Sequence, residues 1–503
     1  MIAEAGRPQA QGAAPAAALA PPRLGLLYFA LVAATLLPIM IWPIPRSWDL
    51  VNHWARLTLY GMSPGDPLAA LYGVKLTLIP NLGLDLVYLG LSPMLSPESV
   101  VRLAWVASIA LPAWGAWRLS KALFGAPQPV VLLAPALSYN LVTTLGLVNF
   151  ALGMALAIHA LAWWLTIDRR RLWTRLAAFN GLSALLFLCH IAAYAAFCVI
   201  VGLFEATPRR NESWRAWLGR VWSTPLYVGL GAVLWLFTAP FESRFSGPGM
   251  KIASLAAPML DDGLWAGILE TTALAIILAA GLQRRSLSLA PAMRWLLAGL
   301  LVVIATLPSA RGAADFIDAR LAVVFAYLAI ASLAGPRSVA ATRWLAAIAV
   351  AIALARVAAA APNWAEYARQ ADNLRQEIRA IAPGSRVLVA EPPTSDCPPS
   401  NAEDYLRGLT PFVVIDRRAL VSTLFTGRGM QPVWTLDPRM SDTPWLAVRP
   451  PWFARHDGAE GRPNWRDAYD TLIALHDDCA WRLDGLGLTP IAESREATIY
   501  RVR

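Results

Sequence analysis

The sequence predicts a polytopic α-helical membrane protein of about eleven transmembrane helices with a small C-terminal α/β domain outside the cytoplasm. Composition points there first: of 503 residues, 57% are hydrophobic and only 15% charged, against roughly 25% charged in an ordinary soluble domain. Several apolar runs approach or exceed the ~18–20 residues needed to cross a bilayer. The charge is also unevenly placed. The chain carries +10 overall, yet residues 362–503 hold 17 basic and 19 acidic side chains, so the apolar part bears all of the positive excess. Such a distribution suits cytoplasmic loops lying on anionic lipid and does not call for a nucleic-acid partner.

The apolar stretches are Leu24–Trp42, Val100–Trp117, Val130–Leu145, Val148–Ile167, Ala177–Cys189, Ala192–Phe204, Thr224–Pro240, Leu264–Leu282, Met293–Leu307, Leu321–Leu333 and Trp344–Ala361. Residues 1–22 read as a flexible Ala/Pro-rich cytoplasmic tail, and residues 23–361 as the membrane domain. A twelfth stretch, Leu76–Leu91, is apolar but interrupted by Pro80, Asn81 and Asp85. Charge decides how to treat it. If it does not cross and the N-terminus is inside, five short cytoplasmic loops collect 15 basic residues and the opposite side only seven. If it crosses, the bias runs backwards, against the positive-inside rule. It is therefore expected as a helix lying in or dipping into the outer interface, within an external loop 43–99 that carries juxtamembrane helices.

Eleven crossings from an inside start put residues 362–503 outside, in an external domain. That domain is expected to open with a helix, Trp364–Ile381, ended by Ala382-Pro383-Gly384. Strands are expected at Arg386–Glu391, Pro411–Asp416 and Ala497–Val502. Cys397 and Cys479 could form a disulfide on an oxidising side. The domain has no phosphate-loop, dinucleotide or nucleophile-elbow motif. No Cys/His cluster has metal-ligand spacing.

Polar residues collect on the external side. After Pro43 and Pro45 end the first span, Asp49, His53 and Arg56 recur at i, i+4 and i+7, one face of a helix. Leu50, Trp54 and Leu57 share the adjoining face, so the segment is expected to lie along the membrane, aromatics down, with its charges facing the extramembrane space or a cleft. Asn81 and Asp85 stand four apart in the twelfth stretch, where a carboxylate is costly unless it faces protein or water. His190 divides two short apolar halves, Lys251 lies in the loop 241–263, and Arg311 and Arg320 flank the loop 308–320.

These residue types suit group transfer from a lipid phosphate. An acceptor hydroxyl needs a base, for which Asp49 is the first choice and Asp85 the second. A phosphate leaving group needs fixed cations, which Arg56, Lys251, Arg311 and Arg320 could supply, with His53, Asn81 and His190 as further substrate contacts. Asp49 and Asp85 could share a divalent metal as hard oxygen ligands; no cofactor is required.

In Trp48-Asp49-Leu50-Val51-Asn52-His53-Trp54-Ala55-Arg56, with Asn81 and Asp85 in the same loop and a C-terminal external domain, the chain resembles bacterial members of the type-C (GT-C) glycosyltransferase superfamily. Val414-Ile415-Asp416-Arg417-Arg418 and Thr423-Leu424-Phe425-Thr426 are closest to uncharacterised bacterial membrane proteins of that superfamily. The resemblance implies a polyprenyl-phosphate-linked sugar donor, an extracytoplasmic acceptor of unknown identity, and Asp49 as the essential acid. The chain lacks the WWD-type signature of oligosaccharyltransferases and the adjacent acidic pair of protein O-mannosyltransferases. Two other classes stay open: a transporter or flippase of a lipid-linked substrate, against which the scarcity of mid-span polar residues speaks, and a non-catalytic scaffold of envelope assembly with the same fold.

Overall fold

All eleven apolar stretches fall wholly or partly on helical backbone in the computed structural model. Residues 21–502 are described, apart from 169, 210, 237–242, 262, 312–314, 337, 393–400, 428–430, 438, 440–445, 459–463, 477–482, 484 and 485, with main chain only at 21, 22, 311 and 401–404. Cys397 and Cys479 lie outside the described residues. Among the described residues, five helices are long and apolar enough to cross a membrane: Pro97–Phe124, Val148–Thr166, Leu172–Cys189, Leu264–Gln283 and Val339–Ile378. Four shorter apolar segments accompany them, at Arg23–Thr35, Pro129–Thr144, Ile191–Ala206 and Pro291–Thr306. The protein is a multi-pass membrane protein.

The chain divides into two compact units. Unit one comprises Met1–Leu37, Val106–Thr144 and Asn149–Ala360; unit two comprises Pro38–Trp105, Leu145–Val148 and Ala361–Arg503.

Within unit one, the expected span Val130–Leu145 is not one α-helix. It is a 3-10 helix, Pro129–Leu137, followed by a single turn, Leu141–Thr144. Pro129 and Pro135 each lack the N–H an α-helix would use. Irregular backbone at membrane depth survives only where protein satisfies its polar groups, and here it does. The Leu137 carbonyl accepts from the Tyr327 hydroxyl at 3.2 Å and from Asn140 Nδ2 at 2.7 Å. The Ser138 carbonyl accepts from Thr143 Oγ1 at 3.1 Å, and the Tyr139 carbonyl from Arg356 Nη2. Arg356 also pairs with Glu270, so the guanidinium is neutralised inside an apolar helix.

The expected helices Trp344–Ala361 and Trp364–Ile381 are in fact one 40-residue helix, Val339–Ile378, running through Pro362. Ala358–Ala361 precede the proline, and alanine is the strongest helix former. Leu76–Leu91 is helical only over Gly83–Leu91. Asn81 has φ 76°, a left-handed conformation that breaks the backbone just before it.

Unit two contains a six-stranded mixed sheet. Arg386–Ala390 runs parallel to Thr471–Leu475 on one side and to Leu420–Val421 and Ala447–Val448 on the other. Ala497–Arg501 pairs antiparallel with Thr471–Leu475, and Thr489–Glu493 forms the outer edge. All five residues of Thr471–Leu475 are buried, as expected of a strand covered on both faces. The first and last expected strands are present, but Pro411–Asp416 is not a strand. Phe412–Arg417 is a short helix, ended by Arg418 at φ 51°. Its β-branched run favours a strand locally, yet Phe412 packs its ring 5.6 Å from that of Trp54, and tertiary contact overrides propensity. A two-stranded ladder, Tyr72–Val74 with Val433–Thr435, ties the long loop to the C-terminal part of the same unit.

Candidate functional site

The segment Leu50–Tyr60 is a helix, as its periodicity predicts, but it does not lie on a surface. Nine of its eleven residues are buried, among them Asn52, His53, Trp54 and Arg56. The helices Asn401–Leu409 and Phe412–Arg417 pack on it, which corrects the expectation of a helix lying along the membrane with its charges open to the extramembrane space. The Phe425 N–H donates to Asn52 Oδ1 at 3.0 Å.

Asp49 occupies the N-cap position without capping. Its Oδ2 instead lies 3.3 Å from His53 Nε2, one turn along the helix. Its Oδ1 is buried and makes no hydrogen bond to the described residues. Over residues 47–56 the same holds for Ser47 Oγ, Trp48 Nε1, Asn52 Nδ2 and Arg56 Nε. Buried polar atoms are normally paired, so five such atoms in ten residues mark a place where the protein has not completed its own hydrogen bonding.

Asp85 is the opposite case. Its Oδ2 lies 2.6 Å from Arg56 Nη2, and its Oδ1 accepts from the Tyr60 hydroxyl at 2.8 Å. Burial, and then the Asp85 charge, hold the Tyr60 hydroxyl well above the usual tyrosine range, so it stays a donor. Arg56 donates further to Gln431 Oε1 at 3.1 Å and to the Asn81 carbonyl at 3.5 Å. Asn81 thus contributes its main chain, which the turn at φ 76° presents to Arg56. The Asp49 side chain keeps 16% of its surface exposed and Asp85 none. Of the two acids, only Asp49 has an oxygen left for a ligand.

Gly146 supports this arrangement. It has φ 74°, and a Cβ there would lie 3.0 Å from the Leu50 nitrogen and 3.1 Å from that of Asp49. The sequence gives no signal for Gly146 or Gln431. Tyr60 stands four residues after Arg56 on the same helix face and could have been found that way.

The other expected site residues belong to unit one. His190 ends Leu172–Cys189 and caps Ile191–Ala206, its Nδ1 accepting from the Ala192 N–H at 3.0 Å. Its Nε2 is 2.9 Å from Arg320 Nη1. Arg320 is buried and stands 5.4 Å from the centre of the Phe150 ring, whose edge meets His190. Lys251 Nζ lies 2.8 Å from Asp318 Oδ2 and donates to the Leu307 carbonyl. Ser309 Oγ donates to the same carboxylate oxygen at 2.9 Å. Asp318 and Arg320 both come from the start of Ile317–Ala331, so that helix brings both groupings together. Arg311 pairs with Ser243 through its main chain; its side chain lies outside the described residues.

Among the described residues, no group of three or more His, Cys, Asp or Glu is placed to hold a metal ion. Asp49 and Asp85 do not form a shared ligand pair as arranged, since Arg56 and Tyr60 occupy both oxygens of Asp85.

No protein-family model matches the chain, and no curated protein matches it. Solved structures do. The crystal structure of ArnT from Cupriavidus metallidurans in the apo state aligns with a TM-score of 0.51 over 95% of this chain and 98% of that one, at 12% identity. ArnT bound to undecaprenyl phosphate aligns with a TM-score of 0.52 over 96% and 98%, also at 12% identity. The chain has the type-C glycosyltransferase fold. With coverage this high, the GT-C likeness takes in the membrane helices and the C-terminal sheet region alike. At 12% identity it is a likeness of fold alone.

Proposed function

We propose that the protein is a membrane glycosyltransferase that moves a sugar from a polyprenyl-phosphate-linked donor to an acceptor outside the cytoplasm. The observation that carries this reading is the state of Asp49, a carboxylate with one oxygen on His53 and the other buried without a partner. Support for the donor class comes from a protein of the same fold that binds undecaprenyl phosphate.

In this mechanism, Asp49 Oδ1 accepts the proton of an acceptor hydroxyl as that oxygen attacks the anomeric carbon. The bond from the anomeric carbon to the phosphate oxygen breaks, and polyprenyl phosphate leaves with the electron pair. His53 keeps the Asp49 carboxylate in one orientation. Arg56 and Asp85 compensate each other and fix the helix that carries the base. His190, Lys251, Arg311 and Arg320 remain proposed substrate contacts on residue type and charge alone, since a phosphate suits fixed cations. The N-terminus is proposed to lie in the cytoplasm of a bacterial inner membrane and residues 362–503 in the periplasm, as the loop charges favour.

The test is transfer from a labelled polyprenyl-phosphate sugar in membranes, comparing wild type with Asp49→Asn. A positioned general base contributes roughly 10²–10⁴-fold, and a loss of that order is expected. Unchanged transfer removes Asp49 from the mechanism.

A further inference from the structure

The helix Trp214–Leu236 in unit one carries an arrangement that the proposed chemistry does not use. Pro225 stands inside it, so the Val221 carbonyl loses its usual i+4 donor. Just upstream, Ser223 Oγ and Thr224 Oγ1 both donate to the Arg220 carbonyl at 3.0 Å, back-bonding that bends helices. Beyond the proline, three consecutive rungs of the helix are met by side chains of two neighbouring helices. Asn180 Nδ2 donates to the Leu226 carbonyl at 2.7 Å, and its Oδ1 accepts from the Leu230 N–H at 2.9 Å. One amide thus touches both ends of the 226–230 rung. Ser183 Oγ accepts from the Gly231 N–H at 3.1 Å, the donor end of the next rung. The Tyr194 hydroxyl donates to the Val228 carbonyl at 2.9 Å, the acceptor end of the third.

We propose that Trp214–Leu236 bends reversibly at residues 226–232, with Asn180, Ser183 and Tyr194 as standby partners for the rungs that open. In hydrocarbon a broken rung leaves an N–H and a carbonyl unpaired at a cost of several kcal/mol each, which keeps ordinary membrane helices rigid. Here four of the six rung groups already have a second partner, so opening strands few of them. Kinks arise at prolines and where a side chain inserts into the i→i+4 ladder, and both causes coincide. Gly231 makes the approach possible: a Cβ there would lie 2.4 Å from the Tyr194 ring and 2.8 Å from the Ser183 carbonyl. The half beyond the bend is followed in sequence by Pro248–Ser254, the helix that bears Lys251.

The proposal does not depend on the reaction, and its test uses no activity. Spin labels replace Trp222 and Leu236, which are 73% and 83% exposed and flank the three rungs. In a straight helix they would be about 21 Å apart along the axis. The full-length protein in lipid nanodiscs is expected to give a broad distance distribution with a shorter, bent population. Asn180→Leu, Ser183→Ala and Tyr194→Phe together remove the standby partners, and the bent population should fall about fivefold. Asn180→Leu alone should lower it about twofold and carries the test if the triple variant does not fold. A single narrow distance in the wild type, or a distribution unchanged by either variant, overturns the proposal.

Discussion

Arg56 and Asp85 form an ion pair of 2.6 Å in which the arginine side chain is 4% exposed and the carboxylate not at all. The pair joins the Leu50–Tyr60 helix to the Gly83–Leu91 helix, and Tyr60 and Gln431 take up further bonding positions around it. Breaking one side of a buried pair costs about 3–5 kcal/mol, because the remaining charge is left alone. Asp85→Ala should therefore lower the thermal midpoint in detergent by several degrees. Replacing both residues by leucine should cost less than Asp85→Ala alone. Equal losses in the two proteins would mean that the charges do not compensate each other.

Asp49 should behave differently. Its Oδ1 has no partner among the described residues, and asparagine keeps one oxygen for His53, so Asp49→Asn should lower the thermal midpoint much less than Asp85→Asn. Melting curves of Asp49→Asn and Asp85→Asn, measured side by side, check this contrast. A large loss for Asp49→Asn would give that residue a structural role.

Gly146→Ala forces a side chain into a left-handed backbone and against the main chain of Asp49 and Leu50. Strain of this kind costs of order 1–3 kcal/mol. The expected result is a lower midpoint together with reduced transfer, since relief must move the start of the helix that carries Asp49. Preserved transfer in a destabilised protein would separate Gly146 from the site.

In unit one, Arg356→Leu removes the donor to the Tyr139 carbonyl and the partner of Glu270. An unsatisfied buried acceptor costs about 1–3 kcal/mol, and the 3-10 segment depends on such donors. Arg356→Leu should reduce the monodisperse fraction in size-exclusion chromatography. Glu270→Gln should be milder, because it keeps an oxygen facing the guanidinium and its side chain is already 42% exposed.

Sidedness can be checked in a cysteine-free background. Glu493→Cys should react with an impermeant maleimide in spheroplasts, and Ser286→Cys only after permeabilisation. The reverse pattern would invert the proposed topology.

The membrane class and the long apolar helices were legible in the sequence because hydropathy adds up locally over each segment, as in Val148–Thr166 and Leu264–Gln283. The helix behind Asp49 was legible from the spacing of Asp49, His53 and Arg56. What that helix faces was not. Its cover comes from Phe412, Phe425 and Gln431, more than 350 positions away, and no local pattern announces contacts at that separation. The same long reach turned Pro411–Asp416 from an expected strand into a helix against Trp54. Packing between the two helices of the loop, 25 to 29 positions apart, saturated Asp85 with Arg56 and Tyr60 while leaving Asp49 half-paired. Sequence alone thus supplied two acids in one loop, and tertiary packing decided which of them keeps a free oxygen, because only three-dimensional neighbours determine whether a buried charge is compensated.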